Sequence, residues 1–475
     1  MQWLSCPAQG LPLVIVSFNN QRYLANTLET LERRYQHLLS DVVLLDSAST
    51  DAKTLEALKG YEARGVRIYR SAQNLGPWLE RYEALYAWLP ERYLLTDADL
   101  EWNEEMPPDF VQQFVQIAEK LQASRVGVAL KIKDSELFFD LAYHQGRSIH
   151  DWESQFWEAP LAEEAELDVY RAHIDTTLAL HVKSSTNPNA QYRLAGKYTA
   201  RHLPWYVEDP IMTFRERHLM FTSQGCAGIG TTKRIFQAYL DANNIRPVEK
   251  RGTTLLVHLG QDPGASKFWL SDFRTWEDAI FSIYDSVLTE GGTFVDIGAW
   301  NGCTAIYAAQ KCRHVVSVEA DPGAAMAFLE NARLNCRNVQ LVQKAICAEG
   351  RPDSVLFGRN EDCPQHGWNA STSQARAAGV VVFEDDLLVP TTTLAAVLAL
   401  AQSPIDLVKV DIEGGEEDLI PELLALSGTP ILLSFHYDWW KDKDLARFDF
   451  EDDLREAIRR LPFGTFMILD GKLKL

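Results

Sequence analysis

Three groups of residues in this 475-residue chain have the types and spacing to do chemistry. The run LLTDADL at 94–100 ends in Asp97 and Asp99, one residue apart. A strand projects such residues to one side, so both carboxylates can reach one Mg²⁺ or Mn²⁺ ion, which would offset charge on a departing diphosphate. The run VDIGAWNG at 295–302 is an apolar strand that ends in a small-residue turn, with Gly298 and Gly302 letting the backbone approach a ligand. A second apolar run then ends in Glu319, placed to accept hydrogen bonds from ribose hydroxyls. Trp300 stands where a GxGxxG fingerprint would need glycine, which counts against NAD or FAD. The third group is DLVKVDIEGGE at 406–416, with Asp411 and Glu413, followed by His436 in SFHYD at 434–438. A positioned carboxylate, imidazole or bound cation would help strip a proton from a hydroxyl, with Asp411 the first choice as base or metal ligand and His436 the second.

These groups need strands to hold them. Short β-branched or apolar runs at 13–17, 42–46, 66–70 and 93–97 alternate with helical patterns at 22–33, 52–62 and 78–88. That order predicts a mostly parallel sheet. A second series, with runs at 293–297, 315–319, 340–345, 407–411 and 431–436, has helices fitting at 304–311, 323–335 and 417–426. An amphipathic helix over 276–288 precedes it. The fold class is therefore α/β, with two doubly wound domains. We place the first at 1–225, a linker at 226–254 rich in small residues at its start, and the second at 255–475.

Composition narrows the function. Lys and Arg number 46 against 66 Asp and Glu, a net charge of −20, which disfavours nucleic acid as a partner. Seven cysteines, at 6, 226, 303, 312, 336, 347 and 363, show no zinc spacing and read as reduced thiols. No apolar stretch approaches the length of a membrane span, and no basic-then-apolar leader is visible. The expected setting is the cytoplasm, with the inner face of the cell membrane as an alternative.

The second series, VDIGAWNG, VEADP, LVKVDIEGGE and SFHYD in that order, resembles the FkbM-type S-adenosylmethionine-dependent methyltransferases over 275–440. The resemblance implies a Rossmann-like domain that methylates hydroxyls, often on sugars. It implies that Asp296, Gly298, Gly302 and Glu319 line the cofactor, with Asp411 and Glu413 at the reacting end and Glu413 also among the cofactor contacts. The usual first motif of that family looks like DIGANxG, whereas this chain has Trp300 and Asn301. VSFNNQRYL, VVLLDSASTD, NLG and LLTDADL resemble the nucleotide-sugar half of family-2 glycosyltransferases with a GT-A fold, over 11–105. This implies a nucleotide-sugar donor contacted by Phe18, Asn19, Asp46, Gly76 and Asp97, with Asp97 and Asp99 holding the metal.

The stretch 106–225 carries a thinner signal for the acceptor. Asp175 is the candidate base, with Glu208 or Asp209 as alternatives. His202 is a candidate third metal ligand and Arg201 a candidate diphosphate contact, while Trp152, Trp157, Trp205 and Tyr206 are candidates to stack on sugar faces or to fill the core. The joint expectation is an enzyme that adds a sugar to a glycan or lipid-linked acceptor and O-methylates a sugar hydroxyl. Its rivals are a chain in which only the methyltransferase half works, the first domain being a glycan-binding module, and a carbohydrate-binding scaffold without turnover.

Overall fold

The computed structural model describes residues 4, 10–161, 167–223, 225, 230–260, 263–350, 353–359, 373–376, 387–439, 444–461, 463–470 and 472–474. Cys6, Cys226 and Cys363, and part of the small-residue stretch 224–232, lie outside them. The four described cysteines, Cys303, Cys312, Cys336 and Cys347, are free thiols. The chain divides into two compact units, residues 1–212 with 216–242 and residues 213–215 with 243–475.

In the first unit β1 (Leu13–Ser17), β2 (Val42–Asp46), β3 (Arg67–Arg70) and β4 (Arg92–Asp97) lie parallel in the order β3-β2-β1-β4. β1 and β2 read as near-continuous aliphatic runs because both of their faces are buried. Helices Gln21–Arg34 and Ala52–Ala63 fill the first crossovers, the second started by Asp51, whose carboxylate accepts from the Thr54 N–H at 2.8 Å. The single helix expected over 78–88 is instead a 3₁₀ turn, Leu79–Arg81, and a short helix, Glu83–Trp88. Tyr82 between them is buried, its hydroxyl donating to the Gly76 carbonyl at 2.7 Å and meeting the Ser47 hydroxyl at 2.9 Å.

The parallel order ends at β4. Only Ala98 and Asp99 separate it from β5 (Leu100–Trp102), too few residues for the crossover a parallel neighbour needs. The sheet continues with β6 (Arg125–Leu130), β7 (Val169–Arg171), β8 (Ala179–Val182) and β9 (Gln191–His202), in the order β4-β8-β6-β9-β5 with β7 also on β9. Of these pairings only β6 with β9 is parallel. The first unit is thus a mixed sheet with a parallel half. The residues 226–254 read from composition as a linker include the helix Gly230–Ala242 of this unit.

In the second unit β10 (Ile245–Lys250) and β11 (Thr253–His258) form a hairpin. The main sheet has β12 (Thr293–Ile297), β13 (His314–Val318) and β14 (Val339–Val342) on one side, and beyond a second four-stranded group β15 (Ala345–Ile346), β16 (Ser354–Arg359), β17 (Ser373–Arg376) and β18 (Leu387–Thr392) the chain returns with β19 (Ile405–Val410), β20 (Ile431–His436), β21 (Phe463–Leu469) and β22 (Lys472–Lys474). The order is β14-β13-β12-β19-β20-β21-β22, with β14 to β20 parallel and β21 and β22 antiparallel. Alternation serves both faces: Phe294, Val315, Leu407 and Leu432 join one core, and Val295, Val316, Val408 and Leu433 the other.

Candidate active sites

Strand order reverses at β12, between β13 and β19, and at such a switch point a crevice opens outside the carboxyl ends of the strands. The residues following β12, β13 and β19 line it: Gly298, Trp300, Glu319, Asp411 and Glu413. Gly298 has φ +81°, and a Cβ there would fall 1.8 Å from the Asp411 carbonyl oxygen, so only glycine lets the two strand ends meet. Gly302 has φ +83°, and its Cβ would crowd the Phe328 ring at 2.8 Å. Trp300 also holds a left-handed conformation, φ +50°, which suits Asn far better than Trp. Its ring is held against Phe268 at 4.8 Å and Trp276 at 6.1 Å, contacts that offset the backbone cost.

Glu319 is buried at the end of β13. Its two oxygens accept the Trp300 N–H at 2.7 Å and the Asp321 N–H at 2.8 Å, and each keeps a further lone pair for a ribose hydroxyl. Burial pushes its pKa up to about 7 despite these donors. Asp296 is wholly buried, accepting from the Thr304 hydroxyl at 2.6 Å, with Lys409 Nζ at 3.3 Å. Lys409 also donates to the Gly298 carbonyl at 3.1 Å and sits 3.8 Å from Asp411. Asp296 therefore acts behind the cleft, through Lys409 and the turn after β12, while Gly298, Glu319, Asp411 and Glu413 line it and Gly302 packs against Phe328.

Asp411, Glu413 and His436 offer ligand atoms within 4.8 Å of one another, an arrangement no other group of three among the described residues achieves. His436 Nε2 lies 3.4 Å from Glu413 and 3.8 Å from Asp411. Its Nδ1 is 3.2 Å from Glu416, which is wholly buried and also accepts the Gly414 N–H at 2.7 Å. Such a carboxylate behind an imidazole sets its tautomer and leaves Nε2 for a ligand. Burial works against the His436 charge, but Glu416, Glu413 and Asp411 outweigh it and raise the pKa to about 8. Burial likewise lifts Glu413 to about 7, moderated by His436. Lys409 and Glu416 were missed in the sequence, although a lysine inside the apolar run LVKV is itself a signal, since lysine is almost never buried unpaired.

In the first unit the switch point is β1, between β2 and β4, and its cleft is lined by Phe18, Gly76, Asp97, Asp99, Asp175, His202 and Trp205. Asp97 and Asp99 both line the cleft, each held by its own partner. Asp97 accepts from the Thr176 hydroxyl, and burial with the Asp99 charge pushes its pKa well up. Asp99 faces His202 instead, Nε2 to Oδ2 at 3.6 Å. Burial opposes a charge on His202, but Asp99, Asp97 and Asp175 raise its pKa overall. Asp99 Oδ1 and His202 Nδ1 are buried without hydrogen-bond partners among the described residues. Orphaned acceptors of this kind fit a cation.

Asn19 and Asp46 stand behind the cleft wall. Asn19, with φ +48°, accepts the Thr50 and Asp51 N–H groups at 2.7 and 2.9 Å, and Asp46 accepts the Ser49 N–H at 3.0 Å. Gly76 has φ +81° and its N–H donates to Asn74 Oδ1 at 2.9 Å. Asp175 is exposed at the cleft, whereas Asp209 is buried, accepting from the Tyr23 hydroxyl and the Ile211 and Met212 N–H groups, so it is not placed as a base. Arg201 and His202 point to opposite faces of β9. Arg201 pairs with Glu101 and Asp134 at 3.1 Å each, away from the diphosphate position first considered for it. Trp205 lines the cleft, Tyr206 is buried with its hydroxyl 3.0 Å from Asp134, and Trp152 and Trp157 are not among the cleft residues. Trp78 and Tyr143 do line it and were missed, because nothing in their spacing marks them.

The two clefts belong to two recognisable classes. Residues 13–162 match the family model for glycosyl transferase family 2, and residues 296–460 match the methyltransferase FkbM domain. Both are enzyme families, so the chain carries a glycosyltransferase and a methyltransferase domain in tandem. No curated protein matches it. Among solved structures it is similar to S. aureus TarS 1-349 in complex with UDP-GlcNAc, at 19% identity over 26% of this chain and 35% of that one, with a TM-score of 0.21. It is similar to the mannosyltransferase PcManGT from Pyrobaculum calidifontis in complex with GDP-Man and Mn²⁺, at 14% identity over 60% of this chain and 92% of that one, with a TM-score of 0.26. It is also similar to precorrin-6y C5,15-methyltransferase from Geobacter metallireducens, at 16% identity over 39% of this chain and 70% of that one, with a TM-score of 0.20.

Proposed function

We propose that the protein is a bifunctional glycan-modifying enzyme. It transfers a sugar from a nucleotide-sugar donor to a glycan or lipid-linked acceptor, and it O-methylates a sugar hydroxyl with S-adenosylmethionine. The observation that carries this reading is a cleft at each sheet's switch point, each with carboxylates at the strand ends. Catalytic domains at 1–225 and 255–475 are proposed as the functional division, with helix Gly230–Ala242 belonging to the first. Among the described residues no helix is long and apolar enough to cross a membrane. We place the work in the cytoplasm or at the inner face of the membrane.

In the methyltransferase cleft the Gly298 turn and the Glu319 carboxylate fit an adenosine ligand, with Gly302 shaping the turn, Glu413 at the mouth and Asp296 acting through Lys409. The cofactor supplies an electrophilic methyl group. Asp411 takes the proton of the attacking hydroxyl, with His436 held beside it by Glu416 to share that proton. Asp411, Glu413 and His436 have the donor set for a divalent ion in this cleft. In the first cleft Phe18, Gly76 and Asp97 face the donor, and Asn19 and Asp46 hold the loop beside it. Asp97, Asp99 and His202 would hold Mg²⁺ or Mn²⁺, which neutralises charge on the leaving diphosphate when bound. Asp175 accepts the proton of the acceptor hydroxyl.

The test uses the purified full chain, labelled S-adenosylmethionine, UDP- and GDP-sugars with Mn²⁺, and mass spectrometry of the glycan. Both transfers are expected, with Asp97→Ala abolishing only the first and Asp411→Ala only the second. A second reading, in which the first domain is a glycan-binding module, is favoured by one observation: one oxygen of Asp97 is already taken by the Thr176 hydroxyl. No sugar transfer from any donor, with methyl transfer intact, would establish it.

A further inference from the structure

We infer that Arg125, Gln191 and Arg193 are positioning residues that hold the Asp175 carboxylate against the acceptor hydroxyl; this rests on the glycosyltransferase reading of the first cleft. Residues 173–177 run between β7 and β8 without belonging to either strand. Ile174 and Thr176 are buried, while Asp175 between them is exposed and lines the cleft. A backbone that dips into the interior outside a ladder must still find partners for its N–H and carbonyl groups. Here side chains supply them. The Ile174 N–H donates to Gln191 Oε1 at 2.7 Å, Arg193 Nε donates to the His173 carbonyl at 2.8 Å, and Arg125 Nη1 donates to the Ile174 carbonyl at 2.6 Å. Beyond Asp175 the Thr176 carbonyl accepts the Asp97 N–H at 3.1 Å, and the Thr176 hydroxyl donates to the Asp97 carboxylate. The backbone is thus fixed on both sides of Asp175, and it is tied to the strand end that carries the metal-site carboxylates.

The three anchors share one face of the sheet by register. β6 and β9 are parallel, with Arg125 opposite Gln191 and Gly127 opposite Arg193, so residues 125, 191 and 193 project to the same side. Arg193 and Glu153 are each 2% exposed and form an ion pair, and the Arg193 guanidinium lies 4.3 Å from the Phe156 ring. A buried ion pair adds little net stability, because desolvation cancels most of the attraction. What it supplies is direction: Glu153 fixes the guanidinium, and the guanidinium fixes the carbonyl two residues before Asp175. The chemistry needs that direction. In the transfer the acceptor oxygen bonds to the anomeric carbon as the carbon–oxygen bond to the diphosphate breaks; the bonding pair leaves with the diphosphate, and the acceptor's proton passes to Asp175. An exposed carboxylate on an unheld loop would seldom meet that proton, whereas one on a fixed backbone meets it at each encounter.

The experiment follows turnover of UDP-glucose, UDP-GlcNAc and GDP-mannose by the full chain with Mn²⁺ and water as acceptor, alongside calorimetric binding of UDP and GDP. Gln191→Leu and Arg125→Met should each lower kcat roughly 10- to 100-fold and leave nucleotide affinity within about twofold. Gln191→Glu keeps an acceptor for the Ile174 N–H and should recover most of the loss. In an Asp175→Asn background neither Gln191→Leu nor Arg125→Met should slow the residual reaction further, whereas a general structural defect would. A loss that persists in that background, or kcat equal to wild type in both variants, would overturn the assignment. Asp175→Asn leaves the buried anchors untouched, so it decides even if the anchor variants misfold: an unchanged kcat there overturns the assignment too. Nucleotide binding by wild-type protein without any turnover does the same, since a carboxylate held in position would activate water. If wild-type protein binds neither nucleotide, the glycosyltransferase reading itself fails and takes this assignment with it.

Discussion

In the C-terminal cleft Asp411 and Glu413 follow β19, and His436 ends β20, the strand hydrogen-bonded beside it. Parallel neighbours end at the same edge of the sheet, so these three side chains are gathered by the topology itself. In the N-terminal cleft Asp97 ends β4, Asp99 lies in the turn that sends the chain to β5, and His202 ends β9, several strands away. There Asp99 meets His202 because β5 pairs antiparallel with β9, with Leu100 opposite His202. The result is a tight trio in one unit and, in the other, an Asp99–His202 pair with one Asp97 oxygen held by Thr176 beside it. Parallel order gathers the trio from neighbouring strand ends, whereas in the mixed sheet the β5–β9 ladder brings His202 to Asp99 and leaves Asp97 on β4.

The largest effect that would sharpen this contrast is Asp411→Asn, expected to slow methyl transfer by about 10³-fold while sugar transfer holds, measured side by side on one preparation. Asp99→Asn should cut sugar transfer by about 10²-fold and raise the Mn²⁺ concentration needed for half-maximal rate. A matching loss of methyl transfer would break the picture of two independent clefts. A third measurement concerns His436, whose raised pKa means its charge stabilises the fold fully below about pH 6.5, with that contribution disappearing as pH climbs through about 8. The difference amounts to about 2 kcal/mol, so wild-type Tm should fall by a few degrees relative to His436→Gln between pH 6 and 9. An unchanged difference would show that the carboxylates around it do not hold the proton. The smallest effect is Trp300→Asn, which relieves the left-handed backbone but loses the ring contacts with Phe268 and Trp276. A net loss of about 1 kcal/mol by thermal unfolding is expected, with S-adenosylhomocysteine affinity nearly unchanged.

Much of the parallel framework was legible in the chain because its strands are continuous aliphatic runs. The expected 13–17, 42–46, 293–297 and 431–436 coincide with β1, β2, β12 and β20. The strands at 100–102, 169–171 and 179–182 were not legible, being short and dependent on neighbours distant in sequence. The same division runs through the sites. Asp411, Glu413 and Glu319 announce themselves because acidic residues at the ends of apolar runs are seldom decorative, and Gly298 because a turn between strand and helix needs it. Glu416 and Trp78 carry no such local signature.

Taken by itself, the sequence determined that there are two α/β series, where their carboxyl-end turns fall, and which of those turns are acidic. Only the tertiary structure decided that Asp46 and Asn19 hold a loop, that Asp209 is used up inside, that Arg201 faces away from His202, and that Lys409 is shared among Asp296 and Asp411. The physical reason is that a strand's identity is written in its own side chains. The burial, direction and charge partners of a residue at its end are set by whichever other segments the fold brings alongside.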